Sequence, residues 1–122
     1  MKMFPRPNDD FECVVPPIPL LVYQEAIQQY GKESQIDVAI EEMAELTQAL
    51  LHERRGRSAN IAEEIADVRI MLRQLELIFS CTEEVETLRQ KKITRLAGRI
   101  HKDRLETKNP EARSESTPED VE

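Results

Sequence analysis

The sequence has no tryptophan, only three glycines and only two cysteines, and each shortage excludes a class of protein. It contains no glycine-rich phosphate loop. The low glycine content, together with 34% charged residues, favours long charged helices over a β-sandwich or a glycine-rich α/β nucleotide-binding fold. Cys13 and Cys81 form no Cys-x-x-Cys pair and no cluster with histidine, so neither a disulfide scaffold nor a structural zinc site is expected. This cysteine usage fits a reducing cytoplasm.

The net charge and the hydropathy of the chain limit the kinds of partner that it is expected to bind. Twenty-four acidic residues against seventeen lysines and arginines give a formal charge of −7, which disfavours binding to nucleic acid or anionic membranes through net charge. No apolar run approaches the roughly 18 residues of a transmembrane helix. The N-terminus has Pro5, Pro7, Asp9 and Asp10 where a signal peptide needs an apolar stretch. We therefore expect a cytoplasmic protein with no membrane partner.

The 122 residues suffice for one domain, and the spacing of apolar residues predicts that it is a compact all-α domain of antiparallel helices. Residues 1–17 are rich in proline and predict an N-terminal arm, 18–106 form the helical domain, and 107–122 predict a disordered acidic tail. The predicted helices extend from Ile18 to Tyr30 with a stop at Gly31, from a Ser34 cap to about Arg54, from a Ser58 or Asn60 cap to Phe79, and from Thr82 to about Leu105.

Apolar side chains at steps of three and four predict which faces of the second and third helices are buried. The predicted buried residues are Ile36, Ala39, Ile40, Met43, Leu50 and Leu51 in the second helix, and Ile61, Ile65, Val68, Leu72, Leu75 and Phe79 in the third.

Four carboxylates lie beside these apolar faces. Glu42 and Glu45 are three residues apart in the second helix, and Glu64 and Asp67 have the same spacing in the third. Antiparallel packing would bring the two pairs together, where four anions repel unless a cation neutralises them. Oxygen donors suit Mg²⁺, with Mn²⁺ as a substitute, and Mg²⁺ commonly binds substrate phosphates. A di-iron carboxylate site would require Glu-x-x-His pairs, which His52 and His101 do not supply.

Two acidic segments carry a resemblance to a known family. Residues 41–46 (EEMAEL) and 62–68 (AEEIADV) resemble the Glu-Glu-x-x-Glu and Glu-x-x-Asp motifs of the MazG-like all-α nucleoside triphosphate pyrophosphohydrolases. Residues 30–35 (YGKESQ) are similar to the Trp-Gly and following Gln of short, phage-type members. The resemblance covers residues 18 to 105 and implies an antiparallel four-helix MazG-like bundle completed by dimerisation or tetramerisation. The similarity to phage-type members also implies a phage-encoded origin.

The resemblance also implies a reaction and the residues that carry it. The expected reaction is Mg²⁺-dependent hydrolysis of a (d)NTP, including non-canonical ones, to a monophosphate and pyrophosphate. Glu42, Glu45, Glu64 and Asp67 would bind Mg²⁺, and Glu41 and Glu63 would assist water or a second metal ion. Gln35 would contact base or ribose. Family members place Lys, Asn and Arg on the phosphates; Lys92, Arg95 and Arg99 lie on one side of the fourth helix, without the Asn.

Two other function classes stay open. A non-catalytic regulatory or scaffold protein that binds metal or nucleotide would keep the acidic motif and release no pyrophosphate. An adaptor that binds nucleic acid through the basic residues between Arg89 and Arg104 is disfavoured by the acidic net charge and by the lack of interleaved aromatic residues.

Overall fold

The computed structural model describes residues 17–108, and this part of the chain is all-helical, with four helices and no strand. The helices are α1 (Pro19–Tyr30), α2 (Lys32–Arg54), α3 (Ile61–Ile78) and α4 (Thr82–Lys108). This confirms the predicted all-α class. The predicted arm, apart from Pro17, and the predicted tail beyond Lys108 lie outside the described residues.

Gly31 joins α1 to α2 without an intervening loop. Its φ of 91° and ψ of 152° belong to a region that only glycine adopts readily. Its N–H donates to the Ile27 carbonyl oxygen at 2.9 Å and its carbonyl oxygen accepts from the Gln35 N–H at 3.1 Å. The predicted cap at Ser34 is therefore wrong: because Gly31 alone separates the two helices, the N-cap of α2 is Gly31, three residues before Ser34, and α2 begins at Lys32.

The start of α3 confirms one of the two predicted caps. The Asn60 side-chain oxygen accepts from the Glu63 N–H at 3.2 Å, and the Asn60 amide donates to a Glu63 carboxylate oxygen at 3.1 Å. This reciprocal pair satisfies backbone groups that a helix start leaves open. At the other end of the described chain, α4 continues to Lys108, past the predicted end near Leu105, and Thr107 donates to the Asp103 carbonyl oxygen at 2.8 Å.

The described residues divide into two compact units. The first contains α1, α2 and α3 up to Thr82, in which α2 and α3 are the main packing partners and α1 contacts both. The second begins at Glu83 and consists of α4, in which Arg89 hydrogen-bonds to the Glu86 carboxylate and lowers the pKa of Glu86 to about 2. No described helix has the length and apolar content needed to span a bilayer.

The core of the first unit is small and unusually polar. Ala39, Ala49 and Met71 are the buried apolar residues of the described chain, and they are joined by four buried polar ones: Gln35, Glu42, Asp67 and Gln74. Much of the predicted apolar face is exposed instead, because it points away from the α2/α3 contact. These exposed residues are Ile40, Met43, Leu50 and Leu51 on α2, and Ile65, Leu72 and Phe79 on α3.

Candidate metal centre

The α2/α3 register brings distant polar residues together. Gln35 Nε2 donates to Gln74 Oε1 at 2.6 Å. This hydrogen bond places a residue near the start of α2 opposite a residue near the end of α3. Moving seven residues forward along α2 and seven back along α3 leads to Glu42 and Asp67. Seven residues are close to two full helical turns, so the second pair faces the same interface as the first. The third pair, Glu45 and Glu64, follows one turn later.

Four carboxylates meet at this point of the α2/α3 interface. One oxygen from each of Glu42, Glu45, Glu64 and Asp67 lies within 4.8 Å of the others. We call this group the carboxylate quartet. Glu42 and Asp67 are buried, with 1% and 7% of their surfaces exposed, whereas Glu45 and Glu64 are half-buried. The sequence prediction that the two acidic pairs converge is confirmed.

The quartet has the chemistry of a cation site. Four oxygen donors from two helices match the preference of hard divalent cations for carboxylate ligands. Two like charges 4.8 Å apart repel by roughly 3 kcal/mol at an effective dielectric constant of about 20. The repulsion is weaker where water reaches the pair. A divalent cation would replace this repulsion with attraction. The quartet can hold a metal ion, and its two half-buried members, Glu45 and Glu64, are the ones that retain contact with solvent.

Glu41 and Glu63, the two predicted assisting acids, are outside the quartet. Glu41 is exposed on α2, about a quarter turn from the buried Glu42. Glu63 is half-buried at the start of α3, where its carboxylate accepts from Asn60. The structure therefore gives Glu63 a role in capping α3, and a role of either acid in proton transfer stays a prediction.

The predicted phosphate contacts lie in the second unit. Lys92, Arg95 and Arg99 follow the i, i+3, i+7 spacing along α4, so they share one side of that helix. Lys92 and Arg95 are exposed and Arg99 is half-buried. Their approach to a substrate stays a prediction.

Gln35, the predicted substrate contact, is buried with 1% of its surface exposed. It lines a cavity of about 320 Å³ together with residues of α1 and α3. Its partner Gln74, 2% exposed, was not singled out from the sequence. A signal for it existed, because Gln74 is a polar residue within the apolar stripe of α3 and lies seven residues after Asp67, as Gln35 lies seven before Glu42.

Comparisons with family models, with curated proteins and with solved structures found no match for this chain. The carboxylate quartet and the two acidic motifs are therefore the features of this chain that bear on its function.

Proposed function

We propose that this protein is a Mg²⁺-dependent nucleoside triphosphate pyrophosphohydrolase of the MazG-like kind, cleaving a (d)NTP to a monophosphate and pyrophosphate. The observation that carries the proposal is the carboxylate quartet, formed by two acidic pairs with the spacing of the family motifs. A partly buried acidic cluster with oxygen ligands alone suits Mg²⁺, whose common use in proteins is to bind substrate phosphates. Mn²⁺ would be a substitute.

Each group of candidate residues would have a separate role in the proposed reaction. The quartet would hold Mg²⁺, which supplies charge neutralisation for the phosphates and acidifies a bound water. Of the four, Glu45 and Glu64 lie nearest to solvent and would face the substrate side. Lys92, Arg95 and Arg99 would neutralise the remaining phosphate charge, since planar guanidinium groups pair well with phosphate oxygens. An exposed carboxylate such as Glu41 would accept the proton of the attacking water.

We further propose that the protein is a homodimer or homotetramer. The first unit exposes large apolar side chains on α2 and α3 that the unit itself does not cover. Ile40 is 57% exposed, Leu72 44% and Phe79 63%. Ile65, Leu72 and Phe79 are seven residues apart, so they form one stripe, the spacing found where helices pack against helices of a partner. A second copy with the same stripe would complete a four-helix bundle.

The function is tested by assaying a panel of (d)NTPs for pyrophosphate release with Mg²⁺ and with EDTA. Glu64→Gln and Asp67→Asn remove one negative charge each at nearly constant volume, and both are expected to abolish most turnover. Glu53→Gln is the matched control, since Glu53 is exposed near the end of α2, away from the quartet. Mg²⁺ binding with no pyrophosphate release from any nucleotide would contradict the enzyme assignment and support a non-catalytic metal-binding protein.

A further inference from the structure

The cavity of about 320 Å³ beside α1 is an elongated apolar surface. α1 packs against α2 and α3, yet none of its residues is buried, and Val22 and Tyr30 are 42% and 54% exposed. The apolar and aromatic lining residues are Pro19, Val22, Tyr23, Ala26 and Tyr30 of α1 and Ile70 of α3. A helix rises by about 16 Å from Pro19 to Tyr30, so the cavity follows most of the length of α1. We call it the α1 groove.

The lining of the α1 groove determines what kind of group it can hold. Among the described residues no charged side chain lines it. Gln35 and Gln74 also belong to the lining, but they hydrogen-bond to each other and are buried, so they offer an entering group almost no polar surface. A charged group would lose its hydration there without compensation, whereas an apolar side chain would gain by leaving water. The α1 groove therefore suits an apolar segment of polypeptide.

The N-terminal arm joins the described structure at this groove. Pro17 is the first described residue, and it lines the α1 groove. Phe11 precedes Pro17 by six residues, and six extended residues reach at most about 20 Å, which is more than the length of the groove. Phe4 would have to close a loop about twice as long, at a larger entropic cost. Residues 11–16 are therefore tethered beside an apolar surface long enough to hold them.

The pattern of residues 11–16 (FECVVP) matches this surface. Side chains alternate in an extended segment, so Phe11, Cys13 and Val15 would share one side, and unpaired cysteine packs as a small apolar residue. Proline favours an extended conformation in the residue before it, and the segment ends in two prolines with Pro17. A cavity of about 150 Å³ is enough to hold a benzene ring, so the α1 groove has room for Phe11 and a smaller side chain beside it.

We propose that residues 11–16 dock in the α1 groove of their own chain, with the ring of Phe11 anchored against Tyr23 and Tyr30. Docking would cover the apolar side of α1 that the other helices leave exposed. The N-terminal arm would thus contribute to the fold of the first unit. This inference is independent of the proposed reaction.

The composition of the chain supplies a direct test. The sequence contains no tryptophan, and its two tyrosines, Tyr23 and Tyr30, both line the α1 groove. In Phe11→Trp we expect tryptophan emission at a shorter wavelength than in the same variant unfolded in urea, together with emission sensitised by tyrosine excitation. Phe4→Trp is the matched control in the same arm. It should emit at the wavelength of the unfolded chain.

A change in the groove should release the arm. Val22→Glu, added to Phe11→Trp, places a charge in the lining and should return the emission to the wavelength of the unfolded chain. Leu20→Glu is the matched control, because Leu20 is also 42% exposed on α1 and does not line the groove. Circular dichroism checks that both variants remain helical, and the comparison of Phe11→Trp with Phe4→Trp stands even where one of them does not fold.

Stability gives a second measurement without tryptophan. Phe11→Ala removes the anchoring ring and should lower the Tm by roughly 10 °C, as expected for a largely buried phenylalanine. Phe4→Ala, a change of the same kind outside the docked segment, should alter the Tm by no more than about 3 °C.

Several results would overturn the proposal. These are emission of Phe11→Trp at the wavelength of the unfolded chain, emission unaffected by Val22→Glu in a folded variant, and an unchanged Tm of Phe11→Ala.

Docking of the arm into a second copy of the chain would also overturn the proposal. Phe11→Trp combined with Tyr23→Phe and Tyr30→Phe contains tryptophan but no tyrosine. This variant is refolded together with an excess of the unaltered chain, which contains tyrosine but no tryptophan. Sensitised emission as strong as in Phe11→Trp alone would show that the arm enters the groove of another copy, and its absence supports docking within one chain.

Discussion

Removing one charge from the carboxylate quartet should change the stability of the protein in opposite directions with and without Mg²⁺. Without metal, Glu64→Gln removes repulsion from three neighbouring carboxylates whose oxygens lie within 4.8 Å. Each such pair costs roughly 1–3 kcal/mol once partial exposure is taken into account. Losing the carboxylate's other interactions offsets most of this gain. We expect a net gain of about 1–2 kcal/mol, which corresponds to a rise in Tm of roughly 4–8 °C.

With Mg²⁺ the order should reverse. A ligand that binds only the folded protein stabilises it by about 2.7 kcal/mol at one hundred times its Kd, or roughly 10 °C in Tm. Glu64→Gln removes one ligand and one charge from the site, so the Mg²⁺-induced rise should fall to less than half of the wild-type value. Glu53→Gln has the same charge change on α2 outside the quartet and should respond to Mg²⁺ as the wild type does.

The assay follows the helical circular dichroism signal of metal-stripped protein during heating, because the sequence has no tryptophan for fluorescence. Each Mg²⁺ titration is paired with KCl at equal ionic strength, since salt also screens surface repulsion. The reasoning is refuted if Mg²⁺ raises the Tm no more than KCl does, or if wild type and Glu64→Gln gain equally. A lower Tm of metal-free Glu64→Gln would show that the four charges are already balanced within the protein.

Four further predictions concern the proposed reaction, the apolar stripe and the C-terminal residues. Hydrolysis in ¹⁸O-labelled water should place the label in the monophosphate, and label in the pyrophosphate would show that water attacks a different phosphorus atom. Arg99→Ala should raise KM or lower kcat by about tenfold, because it removes a charge-assisted phosphate contact of roughly 1.5 kcal/mol. Leu72→Glu should convert the oligomer to monomer in light-scattering measurements, and a monomeric wild type would contradict the interface. Truncation after Lys108 should leave Tm and oligomeric state unchanged, because residues 109–122 contain only two apolar side chains, Ala112 and Val121; a large drop in Tm would show that the tail docks.

The quartet could be predicted because its geometry is local on each helix. A three-residue spacing places Glu42 beside Glu45 and Glu64 beside Asp67 whatever the helices pack against. Antiparallel packing of consecutive helices then needs only a short connection to bring the pairs into reach. The α3 cap was predictable for the same reason, since Asn60 and Glu63 interact within one turn.

Other features depend on long-range packing and could not be predicted in this way. The partnership of Gln35 with Gln74 joins residues 39 positions apart, and only the α2/α3 register determines it. Exposure of Ile40, Leu72 and Phe79 also escaped prediction, because an apolar stripe indicates that a surface is covered without indicating which chain covers it. The α2 start depended on the φ of Gly31, which allowed a junction with no loop.

The polar core of the first unit has a consequence for stability. Four of its seven buried residues are polar or charged, and buried carboxylates stabilise a fold less than apolar side chains of similar volume do. A core chosen for stability alone would place leucine or methionine where Glu42 and Asp67 lie. Retaining both acids in the α2/α3 interface, opposite one another and in line with a glutamine pair, makes sense if the interface binds something that completes it. A cation at the quartet would neutralise the acidic layer of this interface, so metal binding and folding stability are expected to be coupled in this protein.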